Sequence, residues 1–252
     1  MSGITLNTVF NNSLLSSANS LGKQLSEMPT MLGWFQADDN HISLEGTEIV
    51  SFADRSNKNG AFLQVSSLSR AELVNSELQQ YSAAQFVDES TTGGSADVYR
   101  LNGANFNTNA AYSVVAVFKV TNPSDGDTVF AKFSSGTDRV VISINNPGNE
   151  VRFYHGGSEV LSHPIEPNKW CFLIASFDGN NLHLYADGIK YEEKPAIGTG
   201  GSGNVNIGAL GDSGSQAFNG FISDIMIFSS DVVSNSNDLD VITGYMDLVY
   251  GL

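Results

Sequence analysis

The run Trp170–Phe177 carries a single polar side chain, Ser176, and closes on the turn dipeptide Asp178-Gly179. An apolar run this short, bounded by a turn, is the pattern of a strand covered on both faces. The next segment alternates: Leu182, Leu184 and Ala186 fall on one face, and His183, Tyr185 and Asp187 fall on the other. It ends on Asp187-Gly188, and a Gly/Ser stretch leads on to Val205–Gly208 and Phe218–Phe228. A central strand beside an alternating neighbour predicts two sheets packed about 10 Å apart, one of them presenting a concave outer face.

Upstream the chain repeats this grammar in short pieces. Ile42–Leu44, Ile49–Phe52, Phe62–Val65, Gln85–Val87, Val98–Leu101 and Ser113–Val120 read as strands. So do Val129–Phe133, Val140–Ile144, Val151–Tyr154 and Val160–Leu161. Short strands separated by Asn-Gly, Asp-Gly and Gly-Gly turns indicate an all-β, two-sheet antiparallel jelly-roll sandwich. Residues 234–250 read as a helix, with Ser234 or Ser236 as N-cap, Asp238 and Asp240 near its positive end, and Gly251 as its stop. Its apolar positions are Leu239, Ile242, Tyr245, Met246 and Val249. At the other end, Leu6, Val9, Phe10, Leu14, Leu15, Ala18, Leu21 and Leu25 recur at helical spacing, and Pro29 ends the pattern near Glu27. The expected division is an N-terminal amphipathic arm over residues 1–30 and one jelly-roll domain over 31–252. The arm's stripe has two outlets, back onto the sandwich or onto another subunit.

The segment from Trp170 to Phe228 resembles the second half of concanavalin A-like, laminin G- and pentraxin-like jelly rolls. The resemblance rests on the Trp-led strand, Phe177-Asp178-Gly179, the hairpin Leu182–Gly188, Asn206–Gly208 and the close Phe218–Phe228. The N-terminal half is similar to a narrower subgroup found in phage structural and bacterial surface proteins. There the matching motifs are Leu32–Asp38, Ile49–Ser56 with Asn59-Gly60, and the ending Tyr245–Leu252. Residues 88–99 are an expanded version of that subgroup's loop before the long central strand.

Hydrolases with this fold place two or three carboxylates on one strand face, as the resemblance implies. No strand carries that pattern here: Glu192 and Glu193 are adjacent and point to opposite faces, and Asp238 and Asp240 sit at a helix start. The chain is therefore expected not to be an enzyme, and a glycosidase or polysaccharide lyase stands third among the readings. The four histidines, His41, His155, His163 and His183, show no paired metal spacing. Cys171, the single cysteine, has no internal partner and reads as a buried apolar residue. Aromatic and imidazole groups near amides suit sugar recognition, which makes Tyr154, His155, His183 and Tyr185 the ligand-binding candidates. No cofactor is required by these residues; calcium is the candidate ion, with Asp125, Asp127, Asp187 and Asp212 in acidic loops as ligands.

The net charge of −15, from 27 acidic and 12 basic residues, disfavours nucleic acid and anionic membrane surfaces as partners. No run approaches a membrane span, and the first residues lack the form of a signal peptide. The resemblance implies a non-enzymatic phage virion protein, a capsid decoration or a tail- or fibre-associated component, made in the host cytoplasm. Its arm is expected to dock on other virion proteins, its copies to form a homo-oligomer, and its loops to meet surface polysaccharide. The alternative is a bacterial carbohydrate-binding module, calcium dependent, at the cell surface or secreted by a non-general route.

Overall fold

The computed structural model describes residues 17–58, 60–65, 70–78, 81–87, 96–102, 106–145, 149–157, 161–191 and 193–252. The expected sites Leu6 to Leu15 of the arm, Asn59, the loop 88–95, Asn146, Val160 and Glu192 lie outside them. The described chain opens with a helix over residues 17–27, here α1. Eighteen strands follow, beginning with β1 (Met31–Gln36), β2 (Ile42–Glu45), β3 (Glu48–Ala53), β4 (Ala61–Gln64), β5 (Glu72–Leu78) and β6 (Tyr81–Phe86). The middle group is β7 (Tyr99–Asn102), β8 (Tyr112–Val120), β9 (Thr128–Ser135), β10 (Asp138–Asn145), β11 (Glu150–His155) and β12 (Leu161–Pro164). Then come β13 (Trp170–Phe177), β14 (Asn181–Ala186), β15 (Ile189–Lys190), β16 (Lys194–Pro195), β17 (Val205–Ile207) and β18 (Gly220–Phe228), and last helix α2 (Ser236–Tyr250).

The antiparallel pairings resolve into two layers. In the first sheet β14, β13, β8 and β18 lie side by side, and the free edge of β18 is shared by β1 and β6. In the second sheet the order is β12, β11, β10, β9, β17, β7, β4, β3, β2. Strand β5 joins the layers, pairing with β6 and touching β3 at Glu48 and Glu72. This is the two-sheet sandwich that the strand spacing predicts.

Between the layers lies the main core. From the first sheet it takes Val114, Ala116, Phe118, Leu173, Ala175, Leu182, Leu184, Ile225 and Ile227; from the second it takes Phe62, Phe130, Val140, Ile142, Val151, Phe153 and Ile207. The opposite face of the first sheet is also buried. Val115, Val117, Phe172, Ile174, Met226 and Phe228 pack there with Leu25, Trp34, Ile242, Tyr245, Met246 and Val249. Both helices therefore lie on that face, which explains why Trp170–Phe177 is apolar on both sides. It also corrects one expectation: the face bearing His183 and Tyr185 is not an open concave surface, because the helices cover much of it. The stripe residues Leu21 and Leu25 of α1 are turned toward this second cluster.

The quoted N- and C-terminal motifs meet at one buried carboxylate. A bulge in β18 between Ile222 and Asp224 keeps Ile222 and Ile225 facing the main core while Asp224 turns to the helix side. Trp34 Nε1 donates to Asp224 Oδ1 at 2.8 Å and Ser223 Oγ donates to Oδ2 at 2.9 Å; the Tyr250 hydroxyl also donates to Oδ2. Arg55 lies over the Trp34 ring at 4.0 Å and donates to the Tyr245 hydroxyl. Burial holds the Asp224 carboxyl above its ordinary range, against the pull of these three donors.

Helix α2 starts one residue after Asn235, which takes the N-cap position in place of either serine and makes no side-chain cap bond. Gly251 adopts the left-handed conformation (φ 68°) and donates its N–H to Asp247 O at 2.9 Å, the expected stop. Among the described residues, no helix is long and apolar enough to cross a membrane.

Candidate functional site

The outer face of the second sheet is the one large strand surface not covered by a helix in the described chain. Alternation on β11 sends Val151 and Phe153 inward and Glu150, Arg152 and Tyr154 outward. The same parity on β10 and β7 sends Arg139, Val141, Ser143 and Arg100 outward. One transverse row crosses six strands: Tyr154, Val141, Ala131, Asn206, Arg100 and Leu63 are successive cross-strand partners. The central members are small and buried, whereas Arg100 keeps 43% of its side chain exposed. Short side chains thus lie between longer ones along this row, here called the trough.

The walls of the trough are polar and aromatic. The Arg139 guanidinium lies over the Tyr154 ring, 4.3 Å from its centroid, and its Nε donates to Gly156 O at 3.1 Å. Arg152 donates to Glu150 Oε1 at 2.7 Å, and Asn145 donates to the same oxygen at 3.2 Å. At the other end Arg100 pairs with Asp212 at 3.3 Å, and Asn204 donates to Asp212 at 2.9 Å. On the floor, Asn206 Oδ1 is buried without a hydrogen-bond partner. Such an acceptor is uncommon and is normally satisfied by water or a ligand. Three of the chain's five arginines thus gather on one face of an acidic protein.

The expected ligand residues are not brought together. Tyr154 lies on this trough. His155, next in sequence, points the opposite way into the core: its ring stacks on Phe177 at 4.3 Å and its Nδ1 lies 2.9 Å from the Tyr112 hydroxyl. Burial lowers its pKa from 6.5 to about 4. His183 and Tyr185 are on the far side of the sandwich. Tyr185 packs edge-on against Phe172 in the helix-side cluster. His183 borders a cavity of about 450 Å³ together with Lys190, Tyr191, Glu193 and Ser234.

The acidic loop residues are likewise apart. Asp125 is exposed between β8 and β9, and nearby Asp127 is buried, its Oδ2 accepting the Ser124 N–H at 2.9 Å. Asp187 accepts the Phe172 N–H at 2.8 Å and faces His163 Nε2 at 3.1 Å. Asp212 is the partner of Arg100 already described. Sequence reasoning overlooked Arg139, Arg152 and Arg100, although each stands at an outward position of an alternating strand.

The family model for the concanavalin A-like lectin/glucanases superfamily matches residues 92–235, more than half of the chain. No curated protein sequence matches. Among solved structures, domain 4 of AbnA, a GH43 extracellular arabinanase from Geobacillus stearothermophilus, in complex with arabinotriose, superposes with a TM-score of 0.59. Its identity is 16%, over 80% of this chain and 93% of that domain. Trypanosoma rangeli sialidase in complex with sialic acid gives 0.55 at 12% identity; the match takes in 97% of this chain but only 39% of the sialidase. The binding domain of botulinum neurotoxin serotype D gives 0.52 at 14% identity, over 85% of this chain and 51% of that one. At these identities the likeness is one of fold.

Proposed function

Since the chain belongs to the concanavalin A-like lectin/glucanases superfamily, we propose that it is a non-enzymatic glycan-binding module whose binding surface is the trough between Tyr154 and Arg100. The observation that carries this reading is the unpartnered, buried Asn206 acceptor on a floor of small residues, flanked by an aromatic ring and arginine donors. Sugar hydroxyls are paired donors and acceptors, and the sugar ring has apolar C–H faces; amide, guanidinium and aromatic groups answer both. Two guanidiniums beside Tyr154 favour glycans that also carry carboxylates.

Chemistry at the same face is disfavoured by the state of its Glu150 carboxylate. Burial alone would raise the Glu150 pKa, but the bonds from Arg152, Ser162 and Asn145 outweigh it and hold Glu150 below its ordinary range. A general acid for glycoside cleavage needs the opposite. The resemblance of Leu32–Asp38 and Tyr245–Leu252 to the phage and bacterial-surface subgroup supports placing the module on a virion, with the N-terminal arm over residues 1–30 as its attachment.

The test is binding of the purified protein to a panel of bacterial surface polysaccharides, acidic and neutral, with and without EDTA. Wild type is expected to bind, and Tyr154→Ala and Arg139→Ala each to weaken binding about tenfold, an anchor contact being worth roughly 1–2 kcal/mol. Binding untouched by both substitutions, or no binding to any polymer, overturns the assignment. Release of reducing ends or unsaturated products would overturn the non-enzymatic part alone.

A further inference from the structure

On the side of the sandwich away from the trough, two side chains of one hairpin converge with a third that lies about fifty residues further along the chain. Asp178 sits in the β13–β14 turn, His183 on β14, and Asp231 in the loop after β18. Their ligand atoms all lie within 4.8 Å of one another. The two carboxylates are held in the same manner. Asp178 Oδ1 accepts the N–H groups of Asn180 and Asn181, both at 2.7 Å, and its Oδ2 is turned to His183 Nε2 at 3.2 Å. Asp231 Oδ1 accepts the N–H groups of Val233 and Ser234 at 3.0 and 3.3 Å, and its Oδ2 lies 3.6 Å from the same nitrogen.

That second oxygen is the telling one. The Asp231 side chain is only 7% exposed, and its Oδ2 is buried with no hydrogen-bond partner. A buried carboxylate oxygen aimed at an imidazole but beyond bonding distance lacks a partner, and an uncompensated charge there is costly. We propose that Asp178 Oδ2, Asp231 Oδ2 and His183 Nε2 form a three-ligand site for a divalent transition-metal ion, zinc by its donor set. One imidazole and two carboxylates suit zinc better than calcium, which prefers oxygen ligands alone. Backbone N–H bonds to both Oδ1 atoms fix the carboxylates in advance. Glu193 Oε2 stands 3.8 Å from His183 Nδ1 on the ring's other side. A small rotation there gives the carboxylate–imidazole pair that keeps the proton on Nδ1 and frees Nε2 for the metal. A cavity bordered by His183, Glu193 and Ser234 adjoins the cluster on the Nδ1 side of the ring. The site is separate from the trough, and its failure would leave the glycan reading untouched.

The experiment is calorimetric titration of the chelator-treated full chain with zinc chloride, and in parallel with calcium chloride, at neutral pH. One zinc ion per chain is expected, with calcium at least tenfold weaker. Asp231→Asn keeps the Oδ1 acceptor and removes the charge; it is expected to weaken zinc at least tenfold. Glu193→Gln is expected to weaken it about tenfold at unchanged stoichiometry. Histidine NMR of the wild type supplies a readout that needs no variant: zinc should shift the His183 imidazole resonances and leave those of His155 in place. No zinc binding, or binding that Asp231→Asn leaves unchanged and that does not shift His183, would show a buried ion cluster only and overturn the site.

Discussion

Replacing His155 by phenylalanine should change how the stability of the sandwich follows pH, not only how large it is. The imidazole is 1% exposed, stacked on Phe177 and bonded to Tyr112, and burial brings its pKa down from 6.5 to about 4. The sign follows from which state takes the proton. Below pH 6.5 the unfolded chain protonates this residue while the folded one does not until about pH 4, so stability is full above that window and falls as pH drops through it. At about 1.4 kcal/mol per pH unit, the loss reaches about 2 kcal/mol at pH 5 and about 3 kcal/mol near pH 4. In His155→Phe that slope disappears. The variant instead leaves the buried Tyr112 hydroxyl without its partner, a cost of about 1–3 kcal/mol that does not vary with pH. Urea unfolding of both proteins from about pH 8 to about pH 4.5 isolates the effect, because carboxylates titrate in both and cancel in the difference. A stability difference that stays constant across this range, or a His155 resonance titrating near 6.5, would refute the placement of the ring in the core.

Three further outcomes follow from the packing. Asp224→Ala should destabilise by about 3–5 kcal/mol in chemical denaturation, since three donors lose a buried acceptor. Asp224→Asn should cost less and remove a pH dependence of the opposite sense to that of His155: the raised carboxyl pKa contributes stability at low pH that is lost as pH rises through the folded value. Leu25→Ala should cost about 3 kcal/mol if α1 is packed on the first sheet, and a change near zero would mean that α1 is not docked there. Gly208→Ala should cost about 2 kcal/mol or more by thermal melting, because φ is +84° and an added Cβ would sit 2.4 Å from Asp97 O and 2.5 Å from the Phe86 ring.

Where local pattern and local burial agree, the sequence was a sufficient guide. Trp170–Phe177 declared its two-sided cover, and Gly251 marked the end of α2. Strands β1 and β5 escaped notice for a physical reason: Gly33 interrupts the first, and Asn75, Ser76 and Glu77 give the second the polar look of an edge. The direction of His155 was readable from parity with Val151 and Phe153. The fate of the face carrying His183 and Tyr185 was not, because the helix that helps cover it begins about fifty residues later. Convergence of Asp231 on His183 is hidden for the same reason: distant segments meet through tertiary packing, and no short-range spacing records it. The trough had a weaker signal, three outward arginines on strands whose other polar residues are mostly uncharged.

The two helices that flank the sandwich in sequence lie against the same sheet, and Gly22 of α1 sits beside the Tyr245 ring of α2. Chain enters and leaves the domain on that side, while the trough looks out from the other. The domain is therefore polar in the vectorial sense, like a stamp with its handle on one side. Any body joined through either helix is held at the back of the sheet, and the arginine-lined face is turned away from it. Insertions in the loops bordering the trough would alter what is met in front without disturbing the grip behind.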